Sequence, residues 1–304
     1  MTALGLVAVG CGDDVATSEI DLEGLSVTVG SKNFTEQYVL SEILLQALAA
    51  NGAGVTDAVD TGDTPTTRAA LEAGDIDAYF EYNSTGWVEI LEQGTPPDSD
   101  GEALTEAVRE LDADNGIEWL GRSTFNDTYG FAKSPEVAAD TRATRYSVEA
   151  FDLQAMAEHL EENDDAVVCV EPEFTERADG LVLFEDETGY EVPDSQLRVL
   201  EAAEIYEATA LDDCDFGEVF TTDGRIEAFD LDLVVDDGVF YVYNVSLNVR
   251  SEVYDEHADD LDALVRDILR PMSQRRMIDL NRRVSDGEPV ADVAQDYLRR
   301  FDIV

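Results

Sequence analysis

The sequence predicts an α/β protein in which strands and helices alternate and the sheets are largely parallel. A short apolar strand at 26–30 is followed at once by a helix at 36–50 whose apolar residues recur at helical spacing. Strands and helices keep alternating through the second half of the chain, which is typical of parallel sheets. The 304 residues contain no internal repeat and no long linker, and they are enough for two domains or one large one.

Local signals place the elements in chain order. Asn33 or Thr35 is a candidate N-cap for the helix at 36–50. Gly74 closes a short helix in "TPTTRAALEAGD", and "IDAYFEY" alternates apolar residues along a strand that ends at Tyr82. Further strands are predicted at 117–120, 129–132, 166–170, 181–184, 216–220, 232–235 and 239–249. Further helices are predicted at 102–113, 146–162, 195–208, 257–270, 272–284 and 290–300.

The charge of the chain is extreme and indicates habitat more than function. There are 69 acidic against 19 basic residues, a net charge of −50, and only Lys32 and Lys133 are lysine. Such a surface repels nucleic acid and anionic lipid. Acidic residues along the whole chain, with almost no lysine, indicate adaptation to concentrated salt, which limits self-repulsion to about 3 Å at 1 M. We therefore interpret the chain as the protein of a halophile such as a haloarchaeon.

Of the three cysteines, one is a candidate for lipidation, and the other two would form a disulfide if the protein lies outside the cell. "AVGC" at 8–11 is similar to a lipobox, in which Cys11 is lipidated, although the basic segment of a signal peptide is missing. Residues 1–25 would then be a signal remnant and tether, and a stable hold would need more than one lipid chain. Cys169 and Cys214 are expected to form a disulfide, with two buried free thiols as the alternative.

No catalytic constellation stands out. The histidines His159 and His257 lie in acidic helical stretches and are interpreted as solvated surface residues. No cysteine–histidine cluster has metal-ligand spacing, and there is neither a phosphate-binding loop nor a dinucleotide fingerprint. The sequence therefore predicts binding rather than catalysis, with no cofactor and no metal.

Several motifs in a fixed order resemble one known family. "GSKNFTEQ" follows the first strand, and "GDTPTTRAALEAGDIDAYFEYNSTG", "FNDTYGFAK", "PEFTERADGL", "EVFTTDGRIEAFDLDLVVDDGVFYVYN" and "LNRRV" come after it. Together they resemble, over about residues 26–302, the substrate-binding proteins of glycine betaine/choline ABC importers. The resemblance implies a lipid-anchored monomer on the outer face of the membrane that passes a quaternary ammonium solute to a permease for osmoprotection. It implies no enzymatic activity and no nucleic-acid partner.

The resemblance also implies a fold, the two-lobed type II periplasmic-binding fold. Lobe I would comprise 26–128 plus 223–304, and lobe II would comprise 129–222, each a mainly parallel sheet flanked by helices. The ligand would lie in the cleft between the lobes, which close on it by hinge motion.

The family encloses the ammonium head of its ligand in a box of aromatic rings. By position, the resemblance implies a box of Tyr82, Tyr129, Phe220 and Tyr243, with Tyr241 as an alternative to Tyr243. Phe220 stands where the family often has tyrosine, which keeps the π face and loses a hydroxyl. A trimethylammonium group donates no conventional N–H hydrogen bond, and a cation–π contact is worth about 0.5–2 kcal/mol.

The carboxylate of a zwitterionic ligand needs basic and hydroxyl partners. The resemblance implies Lys32, Thr85 and Arg177, because an ammonium supplies a point charge and a guanidinium a bidentate fork. This role would explain why so lysine-poor a chain keeps Lys32, whereas Lys133 has no such context. Glycine betaine is the expected ligand, with choline and proline betaine close behind it.

Three alternatives stay open at this point. The same fold could bind another small zwitterion or anion, or it could sense a ligand without transport. An enzyme related to porphobilinogen deaminase would share the lobe architecture, but it would need a cofactor-carrying cysteine and an arginine-lined cleft, and the sequence indicates neither.

Overall fold

A computed structural model describes residues 20–96, 100–143 and 151–304. The predicted lipidation site Cys11 and most of the predicted tether lie outside the described residues, as does the beginning of the helix predicted at 146–162. Over the described residues the predicted α/β class is confirmed, because ten strands form two five-stranded sheets among flanking helices.

The strands and helices follow one another along the whole described chain. The strands are β1 (Ser26–Lys32), β2 (Gly54–Gly62), β3 (Ala78–Tyr82), β4 (Ile117–Leu120), β5 (Tyr129–Lys133), β6 (Val168–Val170), β7 (Leu197–Val199), β8 (Phe216–Phe220), β9 (Asp232–Leu233) and β10 (Val245–Arg250). The helices are α1 (Thr35–Ala50), α2 (Thr64–Ala73), α3 (Asn83–Thr85), α4 (Gly101–Asp112), α5 (Pro135–Ala143), α6 (Leu153–Glu162), α7 (Pro172–Glu176), α8 (Leu181–Thr188), α9 (Ala202–Ala210), α10 (Arg225–Ala228), α11 (Ser251–Tyr254), α12 (Ala258–Leu269), α13 (Gln274–Ser285) and α14 (Val290–Arg300).

Each sheet contains one strand that runs against the other four. The strand order is β2-β1-β3-β10-β4 in the first sheet and β7-β6-β8-β5-β9 in the second. The reversed strands are β10 and β5, and each is the first strand after the chain passes from one sheet to the other. The segments that connect the sheets, 121–128 and 234–244, lie side by side, since the Asp127 N–H donates to the Tyr243 carbonyl at 3.0 Å.

Both faces of the first sheet are buried. On β3, Phe80 packs into the core that contains Leu40 and Ile43 of α1, whereas the adjacent Tyr79 packs into a separate cluster with Trp119. Successive side chains of a strand point to opposite faces, so an entirely buried β3 requires helices on both sides. This burial holds β1 and β3 in place, and with them Lys32 and Tyr82 at the ends of these strands.

The second sheet contains the predicted disulfide pair. Cys169 of β6 is joined to Cys214, just before β8, with their Cα atoms 5.8 Å apart, which lies within the usual range for a bridge. Both cysteines are fully buried next to Ile205 of α9. The bridge therefore ties β6 to the segment that enters β8.

Several predicted elements were wrong. Residues 181–184 belong to helix α8 instead of a strand, the helix predicted at 195–208 is strand β7 followed by α9, and the strand predicted at 239–249 is only β10. Helix α1 begins at Thr35, and Phe34 occupies its N-cap position without a side-chain hydrogen bond, so neither predicted cap residue serves.

The second sheet extends beyond residue 222, where lobe II is predicted to end. Strand β9 pairs with β5, and the Val234 N–H donates to the Phe131 carbonyl at 2.8 Å. Leu231 is buried with Ala132 and Tyr206 in a cluster of the second sheet. The chain therefore stays on this sheet for about ten residues past the predicted boundary.

Candidate ligand-binding site

The predicted site residues meet in one cleft between the two sheets. It lies at the carboxyl ends of β1, β3 and β8 and at the beginning of β5, and strand ends of this kind are the usual ligand positions in α/β sheets. All seven predicted ligand-binding residues are in its lining, which comprises Lys32, Asn33, Phe34, Asp63, Thr64, Tyr82, Thr85, Asp127, Tyr129, Glu171, Glu173, Arg177, Phe220 and Tyr243.

Five aromatic rings form a connected cluster in this cleft. Tyr129 and Phe220 are directly opposite each other on β5 and β8, with ring centroids 5.4 Å apart. Tyr243 stands edge-on to Tyr129 at 5.4 Å and 83°. Phe34 stacks on Phe220 at 5.2 Å and on Tyr82 at 6.3 Å. The structure thus brings the four predicted rings together and adds Phe34.

Sequence reasoning missed Phe34, although the signal was present. Phe34 lies two residues after Lys32 in "FTEQ", at the turn between β1 and α1. The alternative ring, Tyr241, is not in the cleft lining, and its carbonyl accepts a hydrogen bond from the Thr128 hydroxyl at 2.8 Å. Of the two tyrosines, Tyr243 is the one that reaches the cleft.

Two of the ring hydroxyls are tied to buried carboxyl groups. The Tyr82 hydroxyl donates to Glu36 Oε1 at 2.8 Å, and the Tyr243 hydroxyl donates to Asp179 Oδ2 at 2.8 Å. Burial raises the pKa of both tyrosines well above its usual value, so both stay neutral. Because their hydroxyls are anchored behind them, the two rings are held in fixed orientations.

Lys32 lies in the cleft but is already paired. Its Nζ is 2.7 Å from Glu81 Oε1 and 3.4 Å from Thr64 Oγ1, and it lies 4.8 Å from the ring centroid of Tyr82. The other lysine, Lys133, is equally buried and lies 5.0 Å from the ring of Phe151, so it is not the incidental residue that its sequence context indicates. Both lysines of this chain are therefore interior residues.

Arg177 is also paired, with Asp179, an acidic residue of its own sequence motif. Its Nε and Nη2 donate to the two oxygens of Asp179 at 2.6 and 2.7 Å, and its Nη1 donates to Glu173 at 2.8 Å. A further Nη2 hydrogen bond reaches the Thr85 hydroxyl at 3.2 Å. This hydrogen bond crosses the cleft, because Thr85 follows β3 of the first sheet and Arg177 belongs to the helical segment that follows β6 of the second sheet.

The cleft carries more acid than base. Burial, and then the neighbouring charges of Glu173 and Glu201, raise the pKa of Glu171 to about 7. Burial also raises the pKa of Glu218, which accepts the Glu171 N–H at 2.8 Å, well above its usual value. The two cations in the lining are both paired, and four carboxyl groups share it: Asp63, Asp127, Glu171 and Glu173. The electrostatics therefore favour a ligand that brings positive charge.

Other kinds of site find little support. His159 is half-buried and packs edge-on against Phe216, with ring centroids 5.4 Å apart, so it is not a fully solvated residue as its sequence context indicates. In residues 20–96, 100–143 and 151–304, no group of three or more His, Cys, Asp or Glu side chains is placed to hold a metal ion. No helix in those ranges is long and apolar enough to cross a membrane.

Two sheets with a ring-lined cleft between them are the architecture of many solute-binding proteins, and solved structures share this fold. The fold is similar to that of ligand-free YehZ of Escherichia coli, with a TM-score of 0.65 and 27% identity over 92% of this chain and 99% of that chain. It is also similar to a glycine betaine/carnitine/choline ABC transporter structure, with a TM-score of 0.70 over 91% and 99% of the two chains. At 21% identity the second likeness concerns the fold alone.

The chain belongs to the family described as the substrate-binding domain of the ABC-type glycine betaine transport system, which matches residues 26–300. It is 31% identical over 281 residues to the glycine-betaine-binding protein of Pseudomonas aeruginosa, covering 92% of this chain and 89% of that one. The resemblance found in the sequence is thereby confirmed. The protein is a substrate-binding protein of an ABC importer, acting outside the cytoplasmic membrane, and not an enzyme.

Proposed function

We propose that the protein captures a quaternary ammonium solute, with glycine betaine as the first candidate, and delivers it to an ABC permease. The observation that carries this proposal is the connected cluster of five rings in a cleft rich in carboxyl groups. A trimethylammonium head is large and weakly hydrated, so ring faces suit it at about 0.5–2 kcal/mol per contact. The 31% identical relative is named for the same ligand.

The ligand carboxylate would be received by Thr85, Arg177 and Lys32. A guanidinium has five N–H donors, and contacts within the described residues use four of those of Arg177, which leaves one on Nη1. Thr85 accepts from Arg177, so its own proton can point to a ligand oxygen. Lys32 would add its charge from the opposite side of the cleft, beside Tyr82.

Choline is a second candidate, for a specific reason. Lys32 and Arg177 are both already neutralised by buried carboxylates, Glu81 and Asp179. A ligand without a carboxylate would not have to compete with those pairs. Its positive charge would also offset the excess of carboxyl groups in the cleft lining.

The remaining parts of the proposal concern attachment and motion. We assign a lipid anchor to Cys11, a monomeric state, and two lobes that close over the cleft when ligand binds. A Cys11→Ser variant expressed in the native host should leave the membrane fraction and appear in the medium. Retention of that variant with the membrane would refute the anchor.

A calorimetric screen in multimolar KCl tests the function. Glycine betaine, choline, carnitine and ectoine are titrated into the wild-type protein. We expect tight binding of at least one of the three quaternary ammonium compounds and none of ectoine, whose ring nitrogens carry no trimethylammonium group. Binding of ectoine alone would contradict the proposal, and the ranking of betaine and choline would identify the ligand.

A further inference from the structure

Two buried carboxyl groups lie directly behind the rings, joined by one hydroxyl. Glu36 is in the first turn of α1 and Asp127 is in the segment between the sheets, and they are 2% and 5% exposed. Thr222, which lies in the loop after β8, stands between them. Its Oγ1 is 2.5 Å from Glu36 Oε2 and 2.6 Å from Asp127 Oδ1.

Those two contacts cannot both form if both carboxyl groups are ionised. A threonine hydroxyl has one proton, so it can donate to only one of the two carboxyl groups. The other carboxyl group must then carry a proton and donate it to the hydroxyl oxygen. Glu36 already accepts from the Tyr82 hydroxyl at 2.8 Å and from Asn281 Nδ2 at 3.0 Å. Apart from the Thr222 hydroxyl, Asp127 accepts from the Thr222 N–H, at the longer distance of 3.3 Å. Glu36 has the stronger donors and is therefore the ionised partner, and Asp127 is the group that carries a proton and donates it to Thr222.

The surroundings favour holding this proton. Burial raises the pKa of Asp127 well above its usual value, and the charge of Glu36 adds to the rise. Burial also raises the pKa of Glu36, against the hydrogen bonds that it accepts. The other titratable or charged groups that face this pair are Tyr82, Lys32, Tyr206, Asp223 and Arg225, and the last two are paired with each other at 2.6 Å.

We propose that Glu36 and Asp127 share one proton through Thr222 in the ligand-free protein, and that a purely cationic ligand bound beside Asp127 drives this proton into solvent. This inference rests on the proposed quaternary ammonium function. Asp127 lines the cleft next to the rings of Tyr129 and Phe220, so a cationic head there lies within Coulomb range of the pair. The site would exchange one positive charge for another, because the cationic ligand enters as the proton leaves.

The exchange makes pH a selector between the two candidate ligands. Choline binding lowers the pKa of the pair, so choline affinity rises with pH, by up to about tenfold per pH unit, between the pKa of the complex and that of the free protein. Glycine betaine brings its own carboxylate, so its net charge is zero and it leaves the proton in place. Its affinity should change little over the same pH range.

Calorimetry counts the proton directly. Choline and glycine betaine are titrated in high salt at one pH, once in phosphate and once in Tris, because the difference in heat gives the number of protons released. The wild type should release about one proton with choline and about none with betaine. Asp127→Asn, which keeps the shape of a protonated carboxyl group, should abolish the release.

Two further variants test whether the released proton comes from the Glu36–Asp127 pair or from another group. Glu171→Gln removes the other cleft carboxyl with a raised pKa, so choline affinity can change, but the number of protons released per bound choline should stay about one. Thr221→Val alters the neighbouring hydroxyl, whose only described acceptor is the Asn126 carbonyl at 3.4 Å, and should behave like the wild type. Release that falls by less than half in Asp127→Asn, or that disappears in Glu171→Gln, would overturn the proposal.

Infrared spectroscopy tests the shared proton through the difference between the wild type and Asp127→Asn, because Glu171 and Glu218 also have raised pKa values and can contribute bands of their own. The ligand-free wild type should show, near neutral pH, the carbonyl stretch of a protonated carboxyl group that Asp127→Asn lacks, and saturating choline should remove this band. If the band is absent, the pair holds no proton and the inference is wrong. If the band is present but no quaternary ammonium compound binds, the proposed function fails while the shared proton stands.

Discussion

Replacing Arg177 with alanine should separate the two candidate ligands. If the remaining Nη1 proton and Thr85 receive the ligand carboxylate, the variant loses a charge-assisted hydrogen bond worth about 1.5–3 kcal/mol. Glycine betaine affinity should then fall about 10-fold to 150-fold. Choline has no carboxylate to lose, and removing a cation beside it leaves a more negative cleft. Its affinity should fall much less, or rise.

The same substitution also damages the fold, so the comparison needs a matched control. Arg177→Ala leaves Asp179 buried without its charged partner, which typically costs about 3–5 kcal/mol of stability. The control is Arg68→Ala. Arg68 is equally buried and donates to Asp112 through two hydrogen bonds of 2.7 Å, but it is not in the lining of the aromatic cleft. Calorimetry with both ligands in high salt, alongside thermal melting, should show that both variants melt lower and only Arg177→Ala changes the affinity ratio. Equal losses for both ligands would refute the reasoning and make Arg177 a support of the structure.

Three other predictions follow from particular features. Phe34→Ala removes a ring stacked on Phe220 and Tyr82 and should weaken quaternary ammonium binding by about 0.5–2 kcal/mol in titrations, whereas full affinity would exclude Phe34 from the box. The melting temperature should rise from dilute buffer to multimolar KCl, because the net charge of −50 is screened over about 30 Å at 0.01 M and about 3 Å at 1 M; a flat profile would contradict the halophile interpretation. Reducing the bridge between Cys169 and Cys214, 45 residues apart, should destabilise the protein by up to about 4 kcal/mol, and two reactive thiols besides Cys11 in denatured, unreduced protein would disprove the bridge.

The parts of the fold that could be predicted have strong apolar periodicity. Helices α12, α13 and α14 each bury one apolar face, whereas α1 is buried on most of its surface, and the predicted positions of all four agree closely with the structure. Strand β2 was missed because it is an edge strand that stays partly exposed and contains aspartate and threonine. Helix α8 was mistaken for a strand because periodicity alone cannot separate a short apolar run such as "LVLF" into helix or strand.

The site could be predicted as a set of positions but not as a network. Motif order located the rings and the basic residues, because most of the motifs overlap the end or the beginning of a strand. The partners could not be predicted, since they come from distant parts of the chain: Lys32 and Glu81 are 49 residues apart, and Thr222 and Glu36 are 186 apart. Glu81 in particular resembles the polar face of an alternating strand, and only the burial of both faces of β3 shows that it lies inside.

The most direct test of the aromatic box is a titration series in which only the methyl groups of the ligand change. Trimethylglycine, dimethylglycine and glycine are titrated into the wild type and into Tyr82→Ala and Tyr243→Ala. Each lost methyl removes ring contact and adds an N–H that the rings cannot satisfy, which costs about 1–3 kcal/mol. Affinity should therefore fall stepwise along the series, and both alanine variants should bind trimethylglycine weakly. Glycine binding as tightly as trimethylglycine, or full affinity in both variants, would contradict the box.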